Sequence, residues 1–234
     1  VASTCKTRIW FSRSTDGGRN WDAQEMSQGA AVGTSLDLPE FDPRDPNRLY
    51  LIAGSLREST DRGASWRVID GTRSYFSLAI SAADGNFYVR LRRSGQSGFD
   101  LGVSRDRGRT FTTYAAPAPA ISALVPSPSR AGLLWLGTDR GVYRSQGAAA
   151  SWRASSAGIH RWVASSITAA NDGGLYLGVY GEGVFHRDRD GNVWVRRSFG
   201  LGLDPQDRSA LRVKLTFLGA AGEVTGSCYL VETG

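Results

Sequence analysis

Cysteine, methionine and histidine are scarce in this sequence, and their scarcity excludes several classes of protein. The 234 residues include two Cys, one Met and two His. Cys5 and Cys228 stand near opposite ends of the chain, which is neither a disulfide framework nor the spacing of a zinc finger. His160 and His186 do not have metal-motif spacing either. The sequence therefore predicts no metal and no cofactor, and it is compatible with a reducing compartment.

Long apolar runs are also missing, so no segment is expected to span a bilayer. The chain begins at Val1, and its first residues lack the basic, apolar and small-residue sections of a signal peptide. We therefore expect a soluble protein. The sequence leaves its compartment and its oligomeric state open.

Charge is not massed in any one run, although the formal net charge is +6 and is carried mostly by Arg. Such a balance is compatible with an anionic partner, and equally with a solvated basic surface. The scattered distribution argues against nucleic acid as the partner. Partner proteins and glycans remain the expected ligand classes.

What the sequence does contain is an internal repeat with the pattern Ser-x-Asp-x-Gly-x-x-aromatic. Its three Asp residues are evenly spaced by 45 positions. Two worn copies follow, one with Gly147 and Ala149 in place of Asp and Gly between Ser145 and Trp152, the other with Arg189 in place of Asp before Gly191 and Trp194. The intact copies are Ser14, Asp16, Gly18 and Trp21; Ser59, Asp61, Gly63 and Trp66; and Ser104, Asp106, Gly108 and Phe111.

Each copy of this pattern predicts a structural hairpin corner rather than a catalytic site. The short Asp side chain accepts hydrogen bonds from turn N–H groups that no strand ladder can satisfy. The Gly permits a backbone conformation that a Cβ would oppose. The aromatic residue opens the next strand and buries a large apolar surface.

The segments around each corner predict four short strands per repeat. In the second repeat they cover 35–41, 48–53, 56–59 and 65–69, with a turn over 42–47. Regularly spaced short strands indicate an all-β fold, here an incomplete β-propeller of four-stranded blades, about 4.5 to 5 of them, over residues 1–203. Residues 8–202 resemble the Asp-box, or BNR, propeller families. These include sialidases, xyloglucanase-type glycosidases, sortilin-type receptors and photosystem II assembly factors, so the resemblance implies a fold more than a function.

The end of the chain has a different character. After a linker over 204–210, residues 211–234 resemble the first hairpin of the β-CASP metallo-β-lactamase family, through Lys214 to Gly219 and Glu223 to Ser227. That family carries its zinc ligands in a His-x-His-x-Asp-His motif beyond this hairpin, and the motif is not in this sequence. The tail is either the remnant of a fused reading frame, or it docks on the first blade with 211–218 and 228–232 as its two missing strands. Docking would bring Cys228 towards Cys5.

Candidate ligand-binding residues lie in loops that a propeller gathers on one face, between second and third strands and between blades. One such loop, over 90–100, is longer than its equivalents and is basic, which is typical of a binding surface and also of a solvated loop. Arg and aromatic residues of this kind suit a carboxylate, a phosphate or a sugar ring. The candidates are Arg73, Tyr75, Arg92, Arg93, Asp100, Arg140, His160, Arg161, Trp162 and Tyr180.

Three functions are compatible with these features. The first is a non-catalytic propeller that presents its loop face to a protein or a glycan. The second is a fragment of a sialidase- or xyloglucanase-like glycoside hydrolase, for which Asp139 and Glu182 are the candidate carboxylates because they lie in equivalent loops of neighbouring blades. The third is a truncated β-CASP fusion without a zinc site. We expect no catalysis by this chain alone, and if it is an enzyme, a glycoside hydrolase.

Overall fold

The computed structural model describes residues 10–25, 37–93, 97–160, 163–170, 172–197, 214–217 and 229–232. All regular structure in these residues is β, and the twenty strands form antiparallel sheets. None of these residues forms a helix of the length and apolarity that crossing a bilayer requires. The all-β class predicted from the sequence is confirmed.

Four successive four-stranded sheets form the body of the protein, and each is an antiparallel meander in chain order. We number them 2 to 5 to match the repeats. Sheet 2 contains β3 (Glu40–Asp42), β4 (Asp45–Ile52), β5 (Leu56–Ser59) and β6 (Arg67–Asp70). Sheet 3 contains β7 (Tyr75–Ile80), β8 (Phe87–Arg92), β9 (Phe99–Ser104) and β10 (Thr112–Ala115). Sheet 4 contains β11 (Ile121–Pro126), β12 (Leu134–Thr138), β13 (Gly141–Ser145) and β14 (Arg153–Ala154). Sheet 5 contains β15 (Ala164–Ala169), β16 (Leu175–Val179), β17 (Gly183–Arg187) and β18 (Val195–Arg196).

Two further strand pairs lie at the ends of the chain. Sheet 1 consists of β1 (Trp10–Arg13) and β2 (Asp22–Glu25), which correspond to the third and fourth strands of the other sheets. The C-terminal hairpin consists of β19 (Lys214–Phe217) and β20 (Tyr229–Glu232), paired with each other. Docking of this hairpin on sheet 1 stays a prediction, and the linker over 204–210, Cys5 and Cys228 lie outside the described residues.

The core lies between successive sheets, because the second strands of sheets 2, 3 and 4 are buried on both faces, whereas that of sheet 5 exposes Tyr176. Alternate residues of β12 show this: Leu134 and Leu136 pack towards sheet 3, whereas Trp135 packs towards sheet 5. In the same way Tyr50 contacts Phe87 of sheet 3, with ring centroids 4.5 Å apart. Burial on both faces explains why the second strands read as continuous apolar runs rather than as alternating ones.

The intact repeat corners join the third and fourth strands. In sheet 2, Ser59 Oγ donates to Asp61 Oδ1 at 2.8 Å and accepts the Gly63 N–H at 2.7 Å. The same carboxylate accepts the Ser65 N–H at 2.8 Å and the Ser65 hydroxyl at 2.6 Å, and these bonds lower the pKa of Asp61 to about 2. The corners at Asp16 and Asp106 repeat this network. Each Asp is therefore ionised, and its carboxylate accepts the hydrogen bonds that hold its own turn in shape.

The corner aromatics differ in how much of them is buried. Trp66 packs edge-on against Phe11 of sheet 1, with centroids 5.0 Å apart, and Phe111 packs against Tyr75 at 5.8 Å. Trp21 instead is 64% exposed, which differs from the sequence prediction of a buried aromatic. Trp66 is covered by Phe11 of the preceding sheet, and no ring contact of this kind covers Trp21 among the described residues.

The worn corner in sheet 4 keeps the backbone of the intact ones. Ala148 and Ala149 adopt φ of 49° and 74°, close to Arg62 and Gly63 at 59° and 83°. Ser145 Oγ still accepts the Ala149 N–H at 3.1 Å. Only the carboxylate acceptor is missing, since its place is taken by a glycine.

Replacing Gly147 with Asp is therefore expected to stabilise the protein. Ser151 stands where Ser65 stands in sheet 2, so a new carboxylate would accept its N–H and its hydroxyl. An added Cβ would lie 3.7 Å from Ala150 Cβ, which is ordinary contact. A net gain of about 1 kcal/mol corresponds to a rise in Tm of about 2–4 °C for a domain of this size. Thermal unfolding followed by circular dichroism measures it.

Gly147→Asn is the matched neutral control. Because the intact corners hold Asp at a pKa of about 2, the advantage of Asp over Asn is expected above pH ~4, the unfolded pKa. It should disappear as the pH falls towards 2. Equal Tm values for the two variants at pH 7 would contradict the role given to the carboxylate.

Candidate functional site

Strand topology divides the turns between two ends of each sheet. The corners with the repeat pattern lie at one end, between third and fourth strands. The turns β4–β5, β8–β9, β12–β13 and β16–β17 lie at the opposite end, together with the connections from one sheet to the next. We call this second end the loop face. The candidate ligand-binding residues that the structure describes belong to turns, connections or strand ends on this side.

Asp70 organises the connection from sheet 2 to sheet 3. Its carboxylate accepts the Tyr75 hydroxyl at 2.6 Å, the Thr72 N–H and hydroxyl at 2.7 Å each, and the Arg73 guanidinium. Burial alone would raise the pKa of Asp70, but these donors outweigh it and lower the pKa. Tyr75 is 2% exposed, so it lies beneath the loop face rather than on it. Arg73 covers the Phe111 ring at 5.6 Å.

The long loop of sheet 3 is mostly a paired extension of its hairpin. Arg92 ends β8 opposite Phe99, which begins β9. Beyond them the Arg93 N–H donates to the Gly98 carbonyl at 3.2 Å. The Arg93 guanidinium also donates to Asp100 Oδ1 at 2.7 and 3.0 Å. Residues 94–96 lie outside the described part, and the rest of the extension is held by strand pairing and an ion pair.

Two arginines and two phenylalanines meet at the base of this hairpin. Phe76 and Phe99 stack edge-to-face at 4.9 Å. Arg90 lies over both rings, at 6.0 Å from Phe76 and 4.9 Å from Phe99, and donates to the Ile121 carbonyl of sheet 4. Arg92 lies over Phe76 at 5.5 Å. We call these four residues the Arg–Phe cluster.

The guanidinium groups of this cluster differ in their surroundings. Burial lowers the pKa of Arg90, and the negative charge of Asp37 opposes that shift. Arg92 is exposed and forms no ion pair with a described residue. Phe76, Arg90 and Phe99 were missing from the sequence-based candidates. Their positions in the sequence could have indicated them, since Phe76 follows Tyr75 directly and Arg90 and Phe99 lie in the long insertion.

The other candidates are spread along the loop face. Asp139 and Arg140 are exposed in the β12–β13 turn, and Tyr180 is 75% exposed in the β16–β17 turn beside Glu182. His160 is exposed in the connection between sheets 4 and 5. Arg161 and Trp162 lie outside the described residues. The contacts of the Arg–Phe cluster include none of these residues, which lie on sheets 4 and 5 or between them.

An acidic residue that the sequence analysis missed lies on the first strand of sheet 2. Burial, and then the charge of Asp37, raise the pKa of Glu40 to about 7. Both Asp37 oxygens accept backbone N–H groups, from Leu38 at 3.0 Å and from Leu78 at 2.9 Å. A carboxyl group that titrates near neutrality is suited to general acid catalysis. Within the described residues, no three His, Cys, Asp or Glu side chains form a group that could hold a metal.

The chain is similar to several solved structures. An ancestral GH74 enzyme superposes with a TM-score of 0.60 at 17% identity, over 81% of this chain and 28% of that one. The GH74 enzyme of Niastella koreensis gives 0.56 at 23% identity, over 79% and 28%. The GH74 xyloglucanase of Xanthomonas campestris gives 0.55 at 15% identity, over 81% and 32%. This chain thus spans about three tenths of each of these structures.

These likenesses show the fold. The four-stranded meanders match propeller-type structures and do not close into a ring, so the incomplete β-propeller predicted from the sequence is confirmed. The sequence matches no protein-family model and no curated protein. At such low identity the shared fold assigns no activity.

Proposed function

We propose that this chain is a non-catalytic binding propeller of the Asp-box type, and that its loop face binds a carboxylate-bearing ligand on a partner protein or a glycan. The observation that carries the proposal is Arg92: an exposed guanidinium stacked on Phe76 and without an ion pair among the described residues. A planar guanidinium presents a fork of donors that matches a carboxylate.

The other arginines of this region support this role of Arg92, because each of them already binds a group of the protein itself. Arg73 binds Asp70 and Arg93 binds Asp100, so neither guanidinium is free for a ligand without breaking an ion pair. Arg90 is anchored on the Ile121 carbonyl. The cluster therefore offers one available guanidinium on a surface that is already ordered, which reduces the entropy lost on binding.

Assignment to the Asp-box type is supported by the three corners, in which Ser, Asp and Gly act as one hydrogen-bonding unit. The corners lie on the end opposite the Arg–Phe cluster. Their role is to fix the sheet edges, and the ligand-binding role belongs to the loop face.

Replacing Arg92 with Gln is expected to weaken binding of a carboxylate ligand at least tenfold, without changing Tm. A hydrogen bond to a charged group contributes about 1.5–3 kcal/mol, which corresponds to roughly 10–150-fold in affinity. The probes are an oligogalacturonate, as an acidic glycan, and a poly-glutamate peptide, as an acidic protein segment. Isothermal titration calorimetry with each probe distinguishes the two sources of carboxylate.

Arg109→Gln is the matched control, because Arg109 is exposed at a repeat corner on the opposite end. It should bind both probes as tightly as the unaltered protein. If the unaltered protein binds neither probe, the proposal is overturned. An equal loss in the Arg109 variant would show that the probes respond to overall charge rather than to the cluster.

A second candidate function, glycoside hydrolysis, is favoured by one arrangement: the partly buried Glu40 carboxyl near the charge of Asp37, which together raise the pKa of Glu40. A general acid in such enzymes needs a carboxyl that stays protonated near neutrality, with a second carboxylate nearby. The test is release of reducing ends from xyloglucan, the polysaccharide after which the similar xyloglucanase of Xanthomonas campestris is named. Activity that is lost in Glu40→Gln would establish hydrolysis and replace the non-catalytic proposal. No reducing ends at any pH between 4 and 8 would leave Glu40 a partly buried structural acid.

A further inference from the structure

Four arginines lie on the facing sides of the outer strands of sheets 4 and 5. β13 contributes Arg144, β14 contributes Arg153, β17 contributes Arg187, and β18 contributes Arg196. These four strands contain no Asp or Glu. We call this feature the four-arginine groove. It lies on the side of the sheets, away from the Arg–Phe cluster.

Strand register directs these side chains into the same groove. Val142 packs towards sheet 5, and Arg144 lies two residues further along the same strand, so it points to the same side. Arg153 is the cross-strand partner of Arg144, which places the two side chains next to each other on one face. On the facing sheet, Arg196 is the partner of Phe185, which packs towards sheet 4.

Arg187 forms the buried floor of the groove. It is 2% exposed and lies between two indole rings, 5.8 Å from Trp135 and 5.7 Å from Trp194. Its Nη1 donates to Ser155 Oγ at 2.6 Å, whereas its buried Nε has no partner among the described residues, and neither does Trp135 Nε1. Burial lowers the pKa of Arg187, and the positive charge of Arg144 lowers it further.

Sheet 2 offers a direct comparison, because the same two positions carry opposite charges there. The residue before the corner Ser is Glu58 in sheet 2 and Arg144 in sheet 4. Their cross-strand partners are Arg67 and Arg153. Glu58 and Arg67 form an ion pair, whereas Arg144 and Arg153 place like charges directly opposite each other, which is unfavourable. No carboxylate of the described residues pairs with Arg144, Arg153 or Arg196.

From this arrangement we propose that the four-arginine groove binds a small oxyanion of the phosphate class, which supplies the negative charge that Glu58 supplies in sheet 2. The oxyanion accepts hydrogen bonds from Arg144 and Arg153, and the buried charge of Arg187 adds attraction from below. Phosphate carries the charge and the several acceptor oxygens that two adjacent guanidinium groups require. The site is independent of the loop-face function proposed above.

The experiment measures thermal unfolding of the full chain in inorganic phosphate and in sodium chloride at matched ionic strength. Saturating phosphate is expected to raise Tm by about 2–4 °C above chloride, because a ligand that binds only the folded state stabilises it. Isothermal titration calorimetry with inorganic phosphate gives the affinity. Equal Tm values in the two salts would overturn the proposal, since general screening acts without a site.

Arg144→Glu is the decisive variant, because it reproduces the Glu58–Arg67 pair that sheet 2 already accommodates. It should fold, weaken phosphate binding at least tenfold, and have a higher Tm than the unaltered protein when phosphate is absent. Arg13→Glu on sheet 1 makes the same change in net charge away from the groove, and should keep the phosphate response. Retention of that response by Arg144→Glu, or its loss in Arg13→Glu, would contradict the assignment.

Discussion

Gly108→Ala is expected to lower the free energy of unfolding by about 3 kcal/mol, and Tm by about 6–12 °C. Gly108 has φ of +82°, which costs an L-residue about 1–2 kcal/mol. Its Cβ would also lie 2.6 Å from Leu56 Cδ2 of sheet 2. Leu56 is fully buried, so it cannot move aside, and the overlap adds about 1–3 kcal/mol. Denaturant unfolding followed by tryptophan fluorescence measures the change.

Gly18→Ala separates the two contributions. Gly18 occupies the equivalent position in the first corner with φ of +85°, but the nearest atom to its Cβ would be Trp21 Cζ2 at 3.8 Å. Only the backbone cost should therefore appear, about 1–2 kcal/mol. Equal destabilisation by the two substitutions would mean that close packing of the corner on the preceding sheet contributes nothing.

Glu58→Gln is expected to lower the free energy of unfolding by a similar amount, about 3 kcal/mol. Glu58 is 3% exposed and accepts from the guanidinium groups of Arg48 and Arg67 and from the Tyr50 hydroxyl. Removing the negative charge leaves the Arg48 guanidinium, which is 20% exposed, with Asp45 as its remaining counter-charge, 3.4 Å from its Nε and itself 36% exposed. Breaking such a pair from one side costs much more than replacing both members. Urea titration at pH 7 gives the value.

Two variants test that explanation. Arg67 is 63% exposed, so Arg67→Gln should cost less than 1 kcal/mol. The double variant Glu58→Leu with Arg48→Leu should recover most of the stability lost in Glu58→Gln, because the charges that lose their partners, Arg67 and Asp45, are solvent-exposed. If the double variant is as unstable as Glu58→Gln, the cost comes from packing and not from the loss of the Glu58 charge beside Arg48.

The pH dependence of Glu58 follows from the same contacts. Burial acts to raise the pKa of Glu58, but hydrogen bonds from Arg48 and Arg67 outweigh it, and the pKa is lowered. A carboxylate with a lowered folded-state pKa stabilises the protein above its unfolded pKa of about 4.3. That contribution is lost as the pH falls below this value. The difference in stability between the unaltered protein and Glu58→Gln should therefore shrink on acidification.

Sequence reasoning found the loop face but not the residues that cluster on it. The insertion of sheet 3 could be recognised by its length, and Arg92 with it. That Arg90 would lie over Phe76 and Phe99 could not, because those three side chains come from three different strands. Tyr75 was a candidate by its position in the chain, but the structure buries it under Asp70. Which side of a strand end faces solvent depends on the neighbouring sheet.

Local patterns alone determined the corners, since the Ser, Asp and Gly of each repeat interact within about seven residues of one another and need no distant partner. They also determined the strand order, because short meanders pair with their neighbours in the chain. Only the tertiary structure decided the rest. Strand register within sheet 2 gave Glu58 the counter-charges of Arg48 and Arg67, whereas register within sheet 4 placed Arg144 opposite Arg153, and burial raised the pKa of Glu40. Burial depends on neighbouring sheets that are far apart in the chain, and the charges that face each other across strands differ from repeat to repeat, so the repeat pattern contains no information about either.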